Sequence, residues 1–152
     1  KEKINIEKVF NELNDYFNEL ALLQNKRVTI IYSNPDCSQD IFSDVKKLKQ
    51  ILYHLIDNAI KFSENKVIYG YKLSTDKKNI EFFVMNESPE ISEENRLKLF
   101  DIFYKQENIG NNINPGLGIG LPLVKKLTEM LGGHINVESK HNEITFFVNI
   151  PI

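Results

Sequence analysis

The sequence predicts a mixed α/β fold, a two-layer sandwich in which a mixed β-sheet is covered on one face by about three helices. Two observations lead there. Three long stretches carry apolar residues at helical spacing, most clearly from about Asp44 to Phe62. Between and after them lie β-branched runs bounded by turn residues, and in the last of these Ile144, Phe146, Val148 and Ile150 alternate with polar positions, so one face is buried. The late strands are separated only by turns or single helices. Strand pairing itself is not readable from these patterns.

Taken in order, Ile4 to Ile6 reads as a short strand and about Glu7 to Gln24 as a helix, with Phe10, Leu13, Phe17 and Leu20 recurring along one side. Val28-Thr-Ile-Ile-Tyr32 reads as a strand, and Ser33-Asn-Pro-Asp-Cys-Ser38 is turn chemistry. On the Asp44–Phe62 helix, Val45, Leu48, Leu52, Leu55, Ala59 and Phe62 share a broad apolar face, and His54, Asn58 and Lys61 line up along its rim. That rim is either a solvated edge or a polar site. Val67 to Leu73 and Ile80 to Val84 read as strands joined by Ser74-Thr-Asp-Lys-Lys-Asn79, and Asn86-Glu-Ser-Pro-Glu90 as a loop. A short helix from Glu93 to about Phe103 has Ser92 as its N-cap. Tyr104 to Pro115 is polar and rich in Asn and Gly, hence expected to be mobile. The final helix runs to Leu131, where Gly132-Gly133 stops it, and a hairpin of Ile135–Ser139 and Glu143–Ile150 closes the chain.

The 152 residues suit one domain spanning 1–152, with 41% hydrophobic and 26% charged residues as in ordinary globular proteins. A formal net charge of −2 gives no argument for nucleic acid as a partner. Cys37 is the only cysteine, so there is no internal disulfide and no thiolate metal cluster; a reducing compartment is favoured. No stretch has the roughly 20 apolar residues of a spanning helix. Lys1-Glu-Lys-Ile-Asn5 does not begin like a signal peptide, and a domain cut from a membrane protein would look the same.

The stretch with most chemical promise is Asn114-Pro-Gly-Leu-Gly-Ile-Gly-Leu-Pro122, whose three glycines run into a helix. Glycine permits close backbone approach, and a helix N-terminus offers unpaired N–H groups to a phosphate. A Rossmann fingerprint would need Gly-x-Gly-x-x-Gly after a strand, and a P-loop Gly-Lys-Ser/Thr; neither is present. His54, His134 and His141 show no zinc-binding spacing, and no nucleophile triad is recognisable.

Four boxes in order resemble a known family: Asp57-Asn-Ala-Ile-Lys-Phe62, the segment starting at Asn86, Leu99-Phe-Asp-Ile-Phe-Tyr104 and Gly116-Leu-Gly-Ile-Gly-Leu121. Together they resemble the ATP-binding catalytic domain of sensor histidine kinases, within the Bergerat-fold ATPases that include gyrase, Hsp90 and MutL. The resemblance covers nearly the whole chain, from Ile4 to Phe147-Val-Asn-Ile-Pro151. It implies ATP and Mg²⁺ as cofactors, with a mobile ATP lid over about 104–118. Asn58 matches the Mg²⁺-coordinating asparagine, and an amide oxygen is a hard donor suited to that ion. Lys61 matches the phosphate-contacting lysine. Phe62 matches the aromatic beside the adenine, although core packing alone also explains it. Asn86 matches the adenine-binding position, with Ile91 closing that box. Lys105 sits where many members carry arginine at the start of the lid, and Gln106 is a further phosphate-side candidate. Gly116, Gly118 and Gly120, with Leu117, Ile119 and Leu121 between and after them, match the glycine box that hinges the lid.

Two positions depart from the family pattern. His54 stands where a second metal-site asparagine is usual, and imidazole nitrogen is a poorer match for Mg²⁺; a histidine on a helix edge explains it equally. Asn86-Glu-Ser-Pro-Glu90 stands where the family box reads Asp-x-Gly-x-Gly. Asn86 can accept from the adenine amino group without the carboxylate's charge. Ser88 and Glu90 add side chains, Pro89 stiffens the turn, and Glu90 either adds charge near the phosphates or points outward. The expected consequences are weakened ATP affinity, altered base preference, or loss of nucleotide binding.

The resemblance therefore implies delivery of the ATP γ-phosphate to a histidine on a separate helical dimerisation domain, fused just upstream in the family, consistent with a chain beginning abruptly at Lys1. A response-regulator receiver aspartate would take the phosphate next. The parent is expected to be a bacterial homodimer with this domain in the cytoplasm, and an inner-membrane anchor is compatible with that. None of His54, His134 and His141 resembles the phosphoacceptor. The competing reading is a pseudokinase-like docking or signal-relay module; the Asn86–Glu90 box and His54 favour it, while Asn58, Lys61 and the glycine box oppose it.

Overall fold

The computed structural model describes residues 1–24, 29–33, 40–63, 65–101 and 120–152. Its elements in chain order are β1 (Glu2–Asn5), α1 (Ile6–Leu23), β2 (Thr29–Ser33), β3 (Asp40–Ser43), α2 (Val45–Phe62), β4 (Lys66–Leu73), β5 (Asn79–Glu87), α3 (Glu93–Lys98), α4 (Gly120–Met130), β6 (His134–Lys140) and β7 (Glu143–Pro151). Five strands form one sheet in the order β2-β4-β5-β7-β6, with β2 parallel to β4 and the other pairs antiparallel. The expected mixed sheet is present. β1 and β3 make a separate antiparallel pair in which Ile4 lies opposite Ile41, both buried. Among the described residues no helix is long and apolar enough to cross a membrane.

Period-two burial fixes which side of the sheet is covered. β5 buries Ile80, Phe82, Val84 and Asn86, and β7 buries Ile144, Phe146, Val148 and Ile150 on the same side. Their alternates, including Phe83, Met85 and Phe147, are half-buried on the opposite face. α1 contributes Phe10, fully buried, with its ring 5.9 Å from Tyr69, 5.1 Å from Tyr71 and 5.9 Å from Phe82. Burying such a side chain is worth about 1.5–3 kcal/mol, so Phe10 is a main tie between α1 and the sheet. α2 adds Leu48, Ile51, Leu52, Leu55 and Ile56, and α4 adds Val124 and Leu127.

Helix ends follow local chemistry. Asn5 caps α1 by accepting from the Lys8 N–H at 2.8 Å, Asp44 caps α2 from Lys47 N–H at 3.1 Å, and Ser92 caps α3 from Asn95 N–H at 3.2 Å. The predicted first strand is therefore shifted toward the N-terminus, because Asn5 ends it and Ile6 already opens the helix. α3 is shorter than its predicted reach to Phe103. Leu99 N–H bonds to Arg96 O and Asp101 N–H to Lys98 O, tight three-residue closures that end the helix. β3 escaped the sequence reading because a four-residue strand carries too little alternation to register. The 34–38 part of the predicted turn and the whole predicted lid, 104–118, lie outside the described residues.

At the end of α4, Gly132 adopts φ +80° and Gly133 N–H returns to Thr128 O at 3.0 Å, which satisfies a terminal carbonyl. Gly133 also lies against β7: a Cβ there would stand 2.1 Å from Asn149 O. The two glycines thus end the helix and lay the chain directly onto the sheet.

Candidate functional site

The polar rim of α2 is where the covered layer meets solvent. Leu55, Ile56, Ala59 and Ile60 anchor the helix in the core, while His54, Asn58 and Phe62 remain half-buried and Lys61 is exposed. Among the described residues the Asn58 side chain makes no hydrogen bond, which leaves its amide oxygen free. Lys61 Nζ pairs with Asp57 Oδ2 at 2.9 Å, one helical turn back. Burial holds the His54 pKa below its ordinary value; the Asp57 carboxylate opposes that effect and the Lys61 ammonium adds to it. Tyr53 abuts His54 edge-on, with ring centroids 5.5 Å apart. Its hydroxyl is pushed up to about 12, first by a hydrogen bond with Tyr16 of α1 and then by burial.

α4 approaches this rim through its first residue. A Cβ on Gly120 would lie 3.9 Å from His54 Nδ1, and half-buried Leu121 packs against the core. The end of the glycine box and the polar edge of α2 are thus neighbours. Lys105, Gln106, Gly116, Leu117, Gly118 and Ile119 lie outside the described residues.

The second wall differs from the sequence reading. Asn86 and Glu87 are not loop but the last residues of β5, paired with Ile144 and Glu143 of β7. The strand extends because the neighbouring β7 is long enough to pair with it. Asn86 therefore points into the covered layer, with only 3% of its surface exposed. Its Nδ2 donates to Glu87 O at 2.9 Å, and among the described residues its Oδ1 takes no donor. Ser88, also buried, donates its hydroxyl to Pro89 O at 3.1 Å. Each side chain spends one donor within the segment and keeps acceptor lone pairs.

The rest of this segment is stitched to the β6–β7 turn. Ser88 N–H donates to Asn142 O at 3.0 Å, and Ile91 N–H to Ser139 Oγ at 2.9 Å. Glu90 is exposed and its Oε1 accepts from His141 N–H at 3.2 Å, so its carboxylate is turned toward the hairpin. His141 and Asn142 have φ of 53° and 57°, the left-handed pair of a two-residue hairpin turn. Ile91 is buried beneath this segment. The sequence reading missed Ser139, the hairpin turn and Asp57 as parts of this neighbourhood. The Asp57–Lys61 pairing had a signal, its i,i+4 spacing.

Among the described residues no group of three His, Cys, Asp or Glu side chains could hold a metal. The Asn58 amide oxygen, which accepts no hydrogen bond among the described residues, is a hard neutral donor of the kind Mg²⁺ takes beside waters and substrate phosphates.

The sequence profile of the family described as histidine kinase-, DNA gyrase B-, and HSP90-like ATPase matches residues 43–152. The sensor histidine kinase YcbM of Bacillus subtilis (strain 168) is 34% identical over 125 residues, covering 82% of this chain and 40% of that protein. The chain therefore spans 40% of the length of this curated relative. The catalytic domain of the histidine kinase ThkA superposes with a TM-score of 0.81 at 24% identity, over 99% of this chain and 95% of that one. The same kinase in complex with its response regulator protein TrrA gives a TM-score of 0.79 at 22% identity, over 99% of this chain and 41% of that one. These two likenesses concern the fold, which they share with this chain over its whole length. With the profile match covering most of the sequence, the chain belongs to the histidine kinase-, DNA gyrase B- and HSP90-like ATPase family.

Proposed function

We propose that this chain is the ATP-binding catalytic domain of a sensor histidine kinase, which presents ATP to a histidine on a separate helical domain. The observation that carries the reading is Asn86, a buried amide whose oxygen accepts no hydrogen bond among the described residues, on the layer shared with the α2 rim. A buried acceptor left unpaired is costly, and the exocyclic amino group of adenine would satisfy it. Ile91 and Phe62 offer apolar surface to the base. Asn58 is the residue to hold Mg²⁺, with His54 nearby as a secondary candidate, and Lys61 the residue to meet phosphate oxygens. Lys105, Gln106 and the box from Gly116 to Leu121 belong to the lid side of the same site.

The reaction is phosphoryl transfer. The bond from the γ-phosphorus to the bridging oxygen of ADP breaks, and a phosphorus–nitrogen bond forms at the acceptor imidazole. Bound Mg²⁺ would neutralise charge on the phosphates. The chain's own work is to fix the nucleotide, expose its γ-phosphate and supply the Lys61 charge. His134 and His141 are exposed in the closing hairpin, and His54 lies on the site's own helix, so the acceptor belongs to a partner domain. A response regulator receiver domain is the next phosphate acceptor, and a homodimeric bacterial parent is the setting.

The docking-only alternative leaned on the altered Asn86–Glu90 box. Two features lessen its support: Asn86 keeps its acceptor free, and Glu90 is bonded to the hairpin instead of facing the phosphates. Calorimetry with Mg·ATP tests the choice. Saturable binding is expected, and no binding at millimolar nucleotide would sink the kinase reading.

A further inference from the structure

Lys61 must do its work from a long, flexible stem, and the structure shows what restrains it. Its Nζ lies 2.9 Å from Asp57 Oδ2, and the two side chains differ in freedom: Lys61 is 45% exposed, Asp57 only 22%. The carboxylate is the more buried partner and the ammonium the more exposed one. An acidic residue four positions before a lysine is the favourable order on a helix. Side chains lean toward the helix N-terminus, so pairing with Asp57 draws the lysine back over the preceding turn, which carries Asn58 next to Asp57. One further turn back lies His54, whose Nδ1 would be 3.9 Å from a Cβ on Gly120 at the start of α4. Asp57 is thus a residue through which the basic group is aimed along the site edge instead of outward past Phe62.

We propose that Asp57 is a positioning residue for the nucleotide site: its ion pair holds the Lys61 ammonium at the level of Asn58, ready for a polyphosphate. An ammonium has three N–H donors, so it can keep one bond to Asp57 while giving another to a phosphate oxygen. Pairing beforehand reduces the rotamer freedom lost on binding. This proposal rests on the nucleotide-binding reading above.

The test measures Mg·ATP and adenosine affinity for the chain and for Asp57→Asn, Asp57→Glu, Lys61→Met and the Asp57→Asn/Lys61→Met double variant. Asp57→Asn should weaken Mg·ATP by roughly five-fold and leave adenosine, which lacks phosphates, unmoved. Asp57→Glu keeps the charge and should stay within about two-fold of the parent. With Lys61→Met already present, Asp57→Asn should cause no further loss, because the carboxylate then has nothing to aim and only repels phosphate. The proposal is overturned by parent-like ATP binding in Asp57→Asn, by an equal loss in the Lys61→Met background, or by an equal loss of adenosine. If the parent binds neither adenosine nor Mg·ATP, the nucleotide reading itself fails and takes the positioning role with it. Adenosine binding by the parent with any of the three contrary results removes the positioning role alone.

Discussion

Base selection offers a direct quantitative test of the Asn86 wall. Adenine presents an amino group at its six-position, whereas hypoxanthine and guanine present a carbonyl. Among the described residues Asn86 Oδ1 accepts no hydrogen bond, while its Nδ2 gives one N–H to Glu87 O at 2.9 Å and the Ser88 hydroxyl donates to Pro89 O at 3.1 Å. A six-oxo base would set acceptor against acceptor in a place where Asn86 is 3% exposed. The alternative is to turn the Asn86 amide so that it donates, which breaks its bond to Glu87 O. Either route costs about 1–3 kcal/mol, equivalent to roughly five- to 150-fold in affinity. Titration of the chain with Mg·ATP, Mg·ITP and Mg·GTP should therefore rank ATP first by at least about five-fold. Replacing Asn86 with Leu removes the discriminating group, and the ATP to ITP ratio should fall toward one. Equal affinity for ATP and ITP in the parent, or an undiminished ratio in Asn86→Leu, refutes the role assigned to the amide.

Four further outcomes follow from the same structure. Asn58→Ala should abolish the metal-dependent part of ATP binding while moving thermal stability by less than about 1 kcal/mol, since the side chain is half-buried and has no hydrogen-bond partner among the described residues; parent-like Mg·ATP binding would remove Asn58 from the metal site. Gly133→Ala forces a methyl to within 2.1 Å of Asn149 O, so urea unfolding should show a loss of roughly 2–3 kcal/mol, and an unchanged midpoint would contradict the close approach. His54 has its folded-state proton affinity lowered below the ordinary value of 6.5, mainly by burial. The unfolded chain then binds the proton first, so stability contributed by the neutral ring is complete above pH 6.5 and lost as pH falls through the lowered folded value; His54→Gln should flatten that part of the stability–pH curve. Glu90→Gln keeps an acceptor for His141 N–H and should leave ATP affinity within about two-fold, whereas a carboxylate facing phosphate would give a clear gain on neutralisation.

Legibility in the sequence followed signal length. α1, α2 and α4 were readable because each repeats its apolar spacing over several turns, and β7 because its four apolar positions alternate without interruption. β3 and the true end of α3 were not, since four or six residues hold less pattern than one period of error. The α2 rim was legible as three aligned polar groups, yet its internal pairing was not weighed, because a lysine on a rim is read first for what it offers outward. The Asn86 segment was misjudged for a different reason. Pro89 and Ser88 are turn formers, and local propensity placed the loop two residues early. What extends β5 through Glu87 is its partner Glu143, which is 56 positions away and invisible to any local window.

That long-range pairing also explains how the box can lack its usual glycines. Glycines there would let the backbone pass a base closely, at the cost of conformational freedom on folding. This chain fixes the same segment from behind: β5 runs on to Glu87, Ser88 N–H reaches Asn142 O, Glu90 reaches His141 N–H, and Ile91 N–H reaches Ser139 Oγ. Each bond draws the segment toward the hairpin. The side chains at Ser88 and Glu90 then need not occupy space that glycine would have left open: Ser88 folds its hydroxyl onto Pro89 O, and Glu90 turns to the turn residue. The rigidity of a left-handed two-residue turn at His141 and Asn142 sets where those bonds can form. On the proposed nucleotide reading, recognition of the base would depend on the closing hairpin as much as on the box itself, although the hairpin contributes no side chain to the proposed nucleotide contacts.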